Sequence, residues 1–146
     1  QKKVMFAGEE SGGFGSIQFP DRDGIINSVF ILDLIRQTGL SITKILDEIH
    51  SLVGKRCFVR KDINFDINRR KEIHKNIMNI KSDEIHDYDL SYSNDIDGIK
   101  YAFNDGSWVL VRISGTENVV RIYCESKHQE TTDFIINKVS KLITIE

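Results

Sequence analysis

Apolar residues recur along this chain with two different periods. From Gly24 to about Thr38, residues Ile25, Ile26, Val29, Leu32 and Ile35 fall three or four apart, the spacing of one helix face. Asp23 stands where an N-cap carboxylate accepts the first free backbone N–H groups, and Gly39 stands where the helix should end. The stripe is expected to pack back onto the preceding segment Lys3 to Ala7, which reads as a buried strand. A second helix is expected from about Ile42 to Val53, with Ile42, Ile45, Leu46, Ile49 and Leu52 on one side and Gly54 just beyond.

After Gly54 the period changes to two. From Lys55 to Asp66, Cys57, Val59, Ile63 and Phe65 alternate with Phe58, Arg60 and Asp62, and Lys61 breaks the apolar face. This suggests a strand crossing from one domain to the next. A third helix is expected from about Asn68 to Ile80 through Ile73, Ile77 and Ile80, followed by an exposed polar connection from Lys81 to Tyr92. Strands at Ile96 to Phe103 and Ser107 to Arg112 are joined by Asn104-Asp105-Gly106, in which Asp-Gly would supply the positive φ angles of a tight hairpin. A further strand, Val119 to Glu125, leads to a last helix from His128 to about Ile143, with Ile135, Val139 and Leu142 facing inward. Trp108 reads as a core anchor. The boundary falls near Gly54. Residues 55–146 are read as an α+β domain, an antiparallel sheet with helices on one face, and residues 1–54 as a strand, a loop and two helices.

Composition narrows the function classes without choosing among them. A formal charge of -2 and a pI near 6.1 lack the basic surplus that drives non-specific nucleic-acid binding, so any phosphate recognition has to come from local arginines and a small ligand is expected. Nucleic-acid binding through the sheet is not expected, since neither a basic face nor clustered stacking aromatics is evident. Cys57 and Cys124 lie far apart with no thiol or histidine at zinc spacing, which points to packing in a reducing compartment. No apolar run approaches the roughly 20 residues of a membrane span, and the first residues lack the zones of a secretion signal. A cytoplasmic location without membrane contact is therefore expected. Gln1 is no natural start, and the chain is expected to begin inside a domain.

The strongest chemistry lies in Arg112-Ile113-Ser114-Gly115-Thr116-Glu117-Asn118-Val119-Val120-Arg121. Two planar guanidinium groups can form charge-assisted, bidentate bonds to phosphate oxygens. Ser114 and Thr116 add hydroxyl donors, and Gly115 is expected to let successive N–H groups turn toward an anion. Glu117 should orient one of the arginines or cap a turn, since its own contact with phosphate would be repulsive. Earlier stand Gly8-Glu9-Glu10-Ser11-Gly12-Gly13 and Pro20-Asp21-Arg22-Asp23-Gly24-Ile25.

Taken in order, these motifs, with Asp105 to Glu117 and Arg121 to Glu125, resemble the carboxy-terminal part of an α-D-phosphohexomutase of the phosphoglucomutase/phosphomannomutase superfamily. The resemblance implies that residues 1–54 are the strand-loop-helix end of an α/β third domain and residues 55–146 all of a fourth, with domains 1 and 2 of the same enzyme upstream. It implies interconversion of hexose 1-phosphate and hexose 6-phosphate through a bisphosphorylated intermediate of the glucose 1,6-bisphosphate type. The phosphoserine and the aspartates that bind Mg²⁺ would lie in domains 1 and 2. Neither loop occurs in this sequence, so no catalytic or metal residue is assigned and the chain alone is expected to be inactive. Glu9 and Ser11 would hold sugar hydroxyls, while Arg112, Ser114, Gly115, Thr116 and Arg121 would grip the non-transferring phosphate. Prolines usual in the family are replaced by Ile113 and Asn118, which removes two φ restraints from the loop. GEESGG leans toward glucose phosphates without fixing the hexose. The competing reading is a freestanding phosphate-binding or regulatory module without catalysis. Glu10 reads as an exposed carboxylate and Arg22 is assigned no role. His50, His74, His86 and His128 have no catalytic partner at helical spacing.

Overall fold

The structure is a computed structural model and describes residues 5–8 and 13–143. The chain divides into two compact units, Gln1–Val53 and Gly54–Glu146.

In the first unit, β1 (Phe6–Gly8) pairs antiparallel with β2 (Phe14–Ser16). Helix α1 (Gly24–Thr38) starts where Asp23 Oδ1 accepts from the N–H groups of Ile25 at 2.8 Å and Ile26 at 3.1 Å. It ends at Gly39, whose N–H bonds to Ile35 O at 2.9 Å. Helix α2 (Ile42–Val53) follows. The contact between α1 and the hairpin differs from the sequence expectation. Asn27 Nδ2 donates to Phe14 O at 2.6 Å, and the Phe30 ring meets Phe6 and Phe19 with centroids 6.4 and 6.3 Å away. Much of the expected stripe is open instead, with Ile25 79% and Leu32 65% exposed, while Ile26 and Ile35 are half-buried. Phe6 in β1 is likewise exposed, so the described part of the first strand is not buried.

The second unit is a five-stranded antiparallel sheet in the order β3-β7-β6-β5-β4. Its strands are β3 (Cys57–Asn64), β4 (Leu90–Asn94), β5 (Ile99–Phe103), β6 (Trp108–Ile113) and β7 (Val119–Ser126). Helices α3 (Arg70–Asn79) and α4 (Gln129–Ile143) cover one face. Their Ile73, Ile77, Ile135, Ile136, Val139 and Ile143 meet Val109, Val111, Val120, Ile122 and Cys124 from alternate strand positions. Leu142 packs only at the edge of this core, whereas Ile136 and Ile143 are buried in it. Burial pushes the Cys124 thiol up to about 12, so it stays protonated and packs as a small apolar group.

Five expectations change here. β3 does not cross between units; it lies wholly in the second, paired along its length with β7. The segment expected to be an exposed connection contains a short 3₁₀ turn (Ser82–Glu84), the buried Ile85 and His86, and edge strand β4. The hairpin turn has only Gly106 at positive φ (84°), and Asp105 stays right-handed or extended. Gly106 N–H donates to Phe103 O at 2.9 Å and Ser107 O accepts from Phe103 N–H at 2.8 Å. Trp108 sits on the open face rather than in the core, 6.2 Å from the Phe58 ring and beneath Lys100 Nζ at 4.6 Å. Before β5 the chain passes Gly98 at φ 89°, where a Cβ would strike the Val111 carbonyl and come within 2.7 Å of Arg112 Cβ. Ile96, expected in the strand, lies in this turn and is exposed.

Candidate functional site

Residues 114–118 connect β6 to β7. The Ser114 N–H donates to Val119 O at 2.8 Å, and the Asn118 carbonyl accepts from Phe65 N–H at 3.1 Å. Between these bonds, the N–H groups of Gly115, Thr116, Glu117 and Asn118 find no acceptor among the described residues, and all four residues are exposed. Successive backbone donors left unused on one exposed turn are available to an anion. Gly115 is not at positive φ, and a Cβ built there would meet nothing within 4 Å. Its expected conformational role is therefore not what the turn requires. Gly115 borders open space instead.

Arg112 on β6 and Arg121 on β7 stand directly opposite each other in the ladder, on the face away from the helices. Like charges in direct register repel. Carboxylates offset the repulsion. Arg112 Nη1 lies 2.7 Å from Asp97 Oδ2, Arg121 Nη2 pairs with Glu117, and Asp62 on β3 sits opposite Arg121 with its Oδ2 4.0 Å from Nε. Beneath them Tyr123 places its ring centroid 5.8 Å from the Arg112 guanidinium carbon and its hydroxyl 3.5 Å from Nη2. The Tyr123 hydroxyl first, and then Asp97, raise the Arg112 pKa further against a smaller desolvation effect, so the group stays charged. Arg60 first, with a smaller electrostatic contribution from Arg121, holds the Asp62 carboxyl below its ordinary range despite desolvation. The Nε atoms of Arg112 and Arg121 are both buried without a hydrogen-bond partner. The side chains of Asp97 and Glu117 are 71% and 58% exposed. Ion pairs that exposed contribute about 0–1 kcal/mol, so an incoming dianion can displace them at small cost.

Arg112, Ser114, Gly115, Thr116 and Arg121 thus converge on one loop, and Glu117 holds Arg121. Glu9, Glu10 and Ser11 lie outside the described residues, which include β1 and β2 on either side of them. Contacts elsewhere stand in for the two absent prolines. Ile113 packs against the core, Asn118 is tied to Phe65, and Arg70 Nη2 of α3 donates to Ser114 O at 3.0 Å. Asp62 and Tyr123 could have been placed beside the arginines from strand alternation. Asp97 and Arg70 had no such signal, since only the tertiary fold brings them to the loop.

The open face does cluster aromatics, contrary to the sequence reading: Phe58, Tyr92, Trp108 and Tyr123 occupy its alternate positions. Lys100 covers Trp108, and Arg60 and Arg112 flank Tyr123 at 5.7 and 5.8 Å, so these two rings are capped by the chain's own cations. Among the described residues no three carboxylate, imidazole or thiol groups converge as a metal site. Among the same residues no single helix is long and apolar enough to cross a membrane.

Two family models match the chain. Phosphoglucomutase/phosphomannomutase, alpha/beta/alpha domain III, matches residues 1–52, and the C-terminal domain of the same family matches residues 63–141. The chain belongs to the phosphoglucomutase/phosphomannomutase family. Among its relatives, a probable phosphoglucosamine mutase of Methanobrevibacter smithii is 32% identical over 98% of this chain and 31% of its own length. A phosphoglucomutase/phosphomannomutase of Thermococcus kodakarensis is 32% identical over 84% of this chain and 25% of its own length. The chain therefore spans about a third or less of these phosphohexomutase relatives. A crystal structure of a phosphoglucomutase/phosphomannomutase family protein from Burkholderia thailandensis superposes with a TM-score of 0.67 at 15% identity, over 96% of this chain and 28% of that one, and shows the shared fold.

Proposed function

We propose that this chain is the substrate-positioning part of a phosphohexomutase that interconverts a hexose 1-phosphate and a hexose 6-phosphate by intramolecular phosphoryl transfer through a bisphosphate. In this reading Arg112, Ser114, Gly115, Thr116 and Arg121 anchor the phosphate that is not being transferred, and Glu9 and Ser11 take sugar hydroxyls. The transferring serine and the Mg²⁺ ligands belong to further domains of the same enzyme. The observation that carries the proposal is the direct cross-strand register of Arg112 and Arg121 around a turn with four unused N–H groups. Two facing cations and free amides fit a dianion, and fixed positioning with charge complementarity is much of what phosphoryl transfer requires. The relatives' names include both glucosamine and glucose/mannose mutases, so the substrate class is hexose phosphates, with an amino sugar on equal footing with glucose.

The test is an amide-resolved NMR titration with inorganic phosphate, glucose 1-phosphate, glucosamine 6-phosphate and glucose 1,6-bisphosphate. Saturable shifts over residues 112–121 that vanish in Arg112→Ala are the expected result, with additional shifts at Glu9 and Ser11 for the sugar phosphates only. Shifts that are scattered or unchanged in Arg112→Ala would overturn the anchor assignment.

A further inference from the structure

Arg70 has no carboxylate partner among the described residues. Its side-chain hydrogen bond runs from Nη2 to Ser114 O at 3.0 Å, across 44 positions of sequence. It stands on a face of α3 that also carries Lys71 and His74, neither of which has a described hydrogen-bond or ion-pair partner. With Arg112 these residues line a cavity of about 450 Å³. The only carboxylate there is Asp97, already paired with Arg112. A guanidinium group held half-buried among other cations, on a neutral carbonyl, is costly unless an anion arrives nearby.

The carbonyl it holds is informative. No described peptide bond is cis, and in a planar trans peptide the C=O of one residue and the N–H of the next point in opposite directions. Drawing the Ser114 carbonyl toward α3 therefore turns the Gly115 N–H away from α3, in the loop that runs between the strands carrying Arg112 and Arg121. The Ser114 N–H is already spent on Val119, so Gly115 carries the first free donor of the turn.

We infer that Arg70 is a positioning residue of the anion site: it fixes the Ser114–Gly115 peptide so that the Gly115 N–H meets a phosphate held by Arg112 and Arg121. The inference rests on the reading of residues 112–121 as a phosphate anchor. Lys71 separates the two ways in which Arg70 could act. It carries an equal charge on the same helix face with no hydrogen bond to the loop among the described residues, so Lys71→Ala measures the contribution of charge without that bond.

Inorganic phosphate is titrated into the wild type, Arg70→Ala, Arg70→Lys, Lys71→Ala and Arg112→Ala while amide shifts are followed. Arg70→Ala should weaken binding about tenfold, the scale of one hydrogen bond, and abolish the response of the Gly115 amide while the Thr116 amide still responds. Lys71→Ala should weaken it less than about threefold, and Arg70→Lys, which keeps charge and donor, should recover most of the loss. Unfolding midpoints checked in parallel should stay close to the wild type. Should Arg70→Ala unfold the unit, Arg70→Gln is measured in its place. Equal losses in Arg70→Ala and Lys71→Ala, or an unchanged Gly115 response, would overturn the positioning role. If Arg112→Ala abolishes binding and the Arg70 variants do not weaken it, only this inference fails. If the wild type shows no saturable shifts over residues 112–121, the anchor reading fails and this inference fails with it.

Discussion

Helices α1 and α4 are each fifteen residues long, and their surroundings could hardly differ more. α4 buries Thr132, Ile135, Ile136, Val139, Ser140 and Ile143 against the sheet, while α1 buries none of its residues. Yet α1 has a side-chain N-cap at Asp23, a glycine C-cap at Gly39 and a regular apolar stripe. Caps and periodicity are local, and they decide where a helix starts, stops and points its apolar side chains. What covers that side depends on residues far away in sequence. In α4 the cover is a sheet whose strands come from most of the second unit, and most helix stability comes from such packing.

The largest expected effect tests that contrast directly. Ile135→Ala removes a fully buried side chain of α4 and should cost about 2–5 kcal/mol in denaturant unfolding of the second unit. Leu32→Ala, at an equivalent stripe position of α1, should cost less than about 0.5 kcal/mol because that side chain is mostly exposed. Equal costs would mean that the α1 stripe is covered in solution and that the comparison is wrong.

Glycines sharpen the same point at smaller scale. Gly98 combines positive φ with a backbone approach that a Cβ would violate at Val111 and Arg112, so Gly98→Ala should cost more than about 2 kcal/mol and weaken phosphate binding by disturbing Arg112. Gly115 has neither constraint. Gly115→Ala should leave the unfolding midpoint within about 0.5 kcal/mol while crowding whatever approaches the free donors, so phosphate affinity should fall without loss of stability. A stability loss in Gly115→Ala, or phosphate binding unaffected by the added methyl, would remove the argument that Gly115 leaves room for a ligand.

Which features could be read from sequence follows the same division between local and distant causes. The helices, strands β3, β6 and β7, and the loop from Arg112 to Arg121 are contiguous patterns, and their residues carry the signal themselves. Strand β4, Leu-Ser-Tyr-Ser-Asn, is an edge strand whose side chains are mostly exposed, so no apolar alternation marks it. Ile85 is one apolar residue in a polar run, and nothing local shows that it fills the core. Trp108 reads as core because an aromatic strand residue usually is, but its register places it on the uncovered side. Arg70 and Asp97 join the candidate site only through tertiary contacts, and Asn118 and Ile113 replace proline rigidity in the same way.

The smallest expected effect is a pH dependence confined to the second unit. Burial alone would raise the Asp105 pKa, but bonds from the Ser107 hydroxyl at 2.6 Å and the Ser107 N–H at 2.9 Å, with His86 Nε2 at 3.4 Å, outweigh it and leave the value below the ordinary 3.8. A carboxyl depressed in the folded state stabilises above its unfolded value, and that contribution is lost as pH falls through the folded value. Unfolding free energies of the wild type and Asp105→Asn should therefore differ by under about 1 kcal/mol near neutrality and converge below about pH 4, as the carboxyl protonates. Because the Ser107 bonds lie in the hairpin between β5 and β6, amide protection factors in β5 and β6, taken relative to the intrinsic exchange rate at each pH, should fall along that acid limb while those in α1 and α2 show no matching change. Identical acid limbs for the two proteins would mean that the bonds to Asp105 persist after protonation. Matching changes in α1 would mean that the two units unfold together.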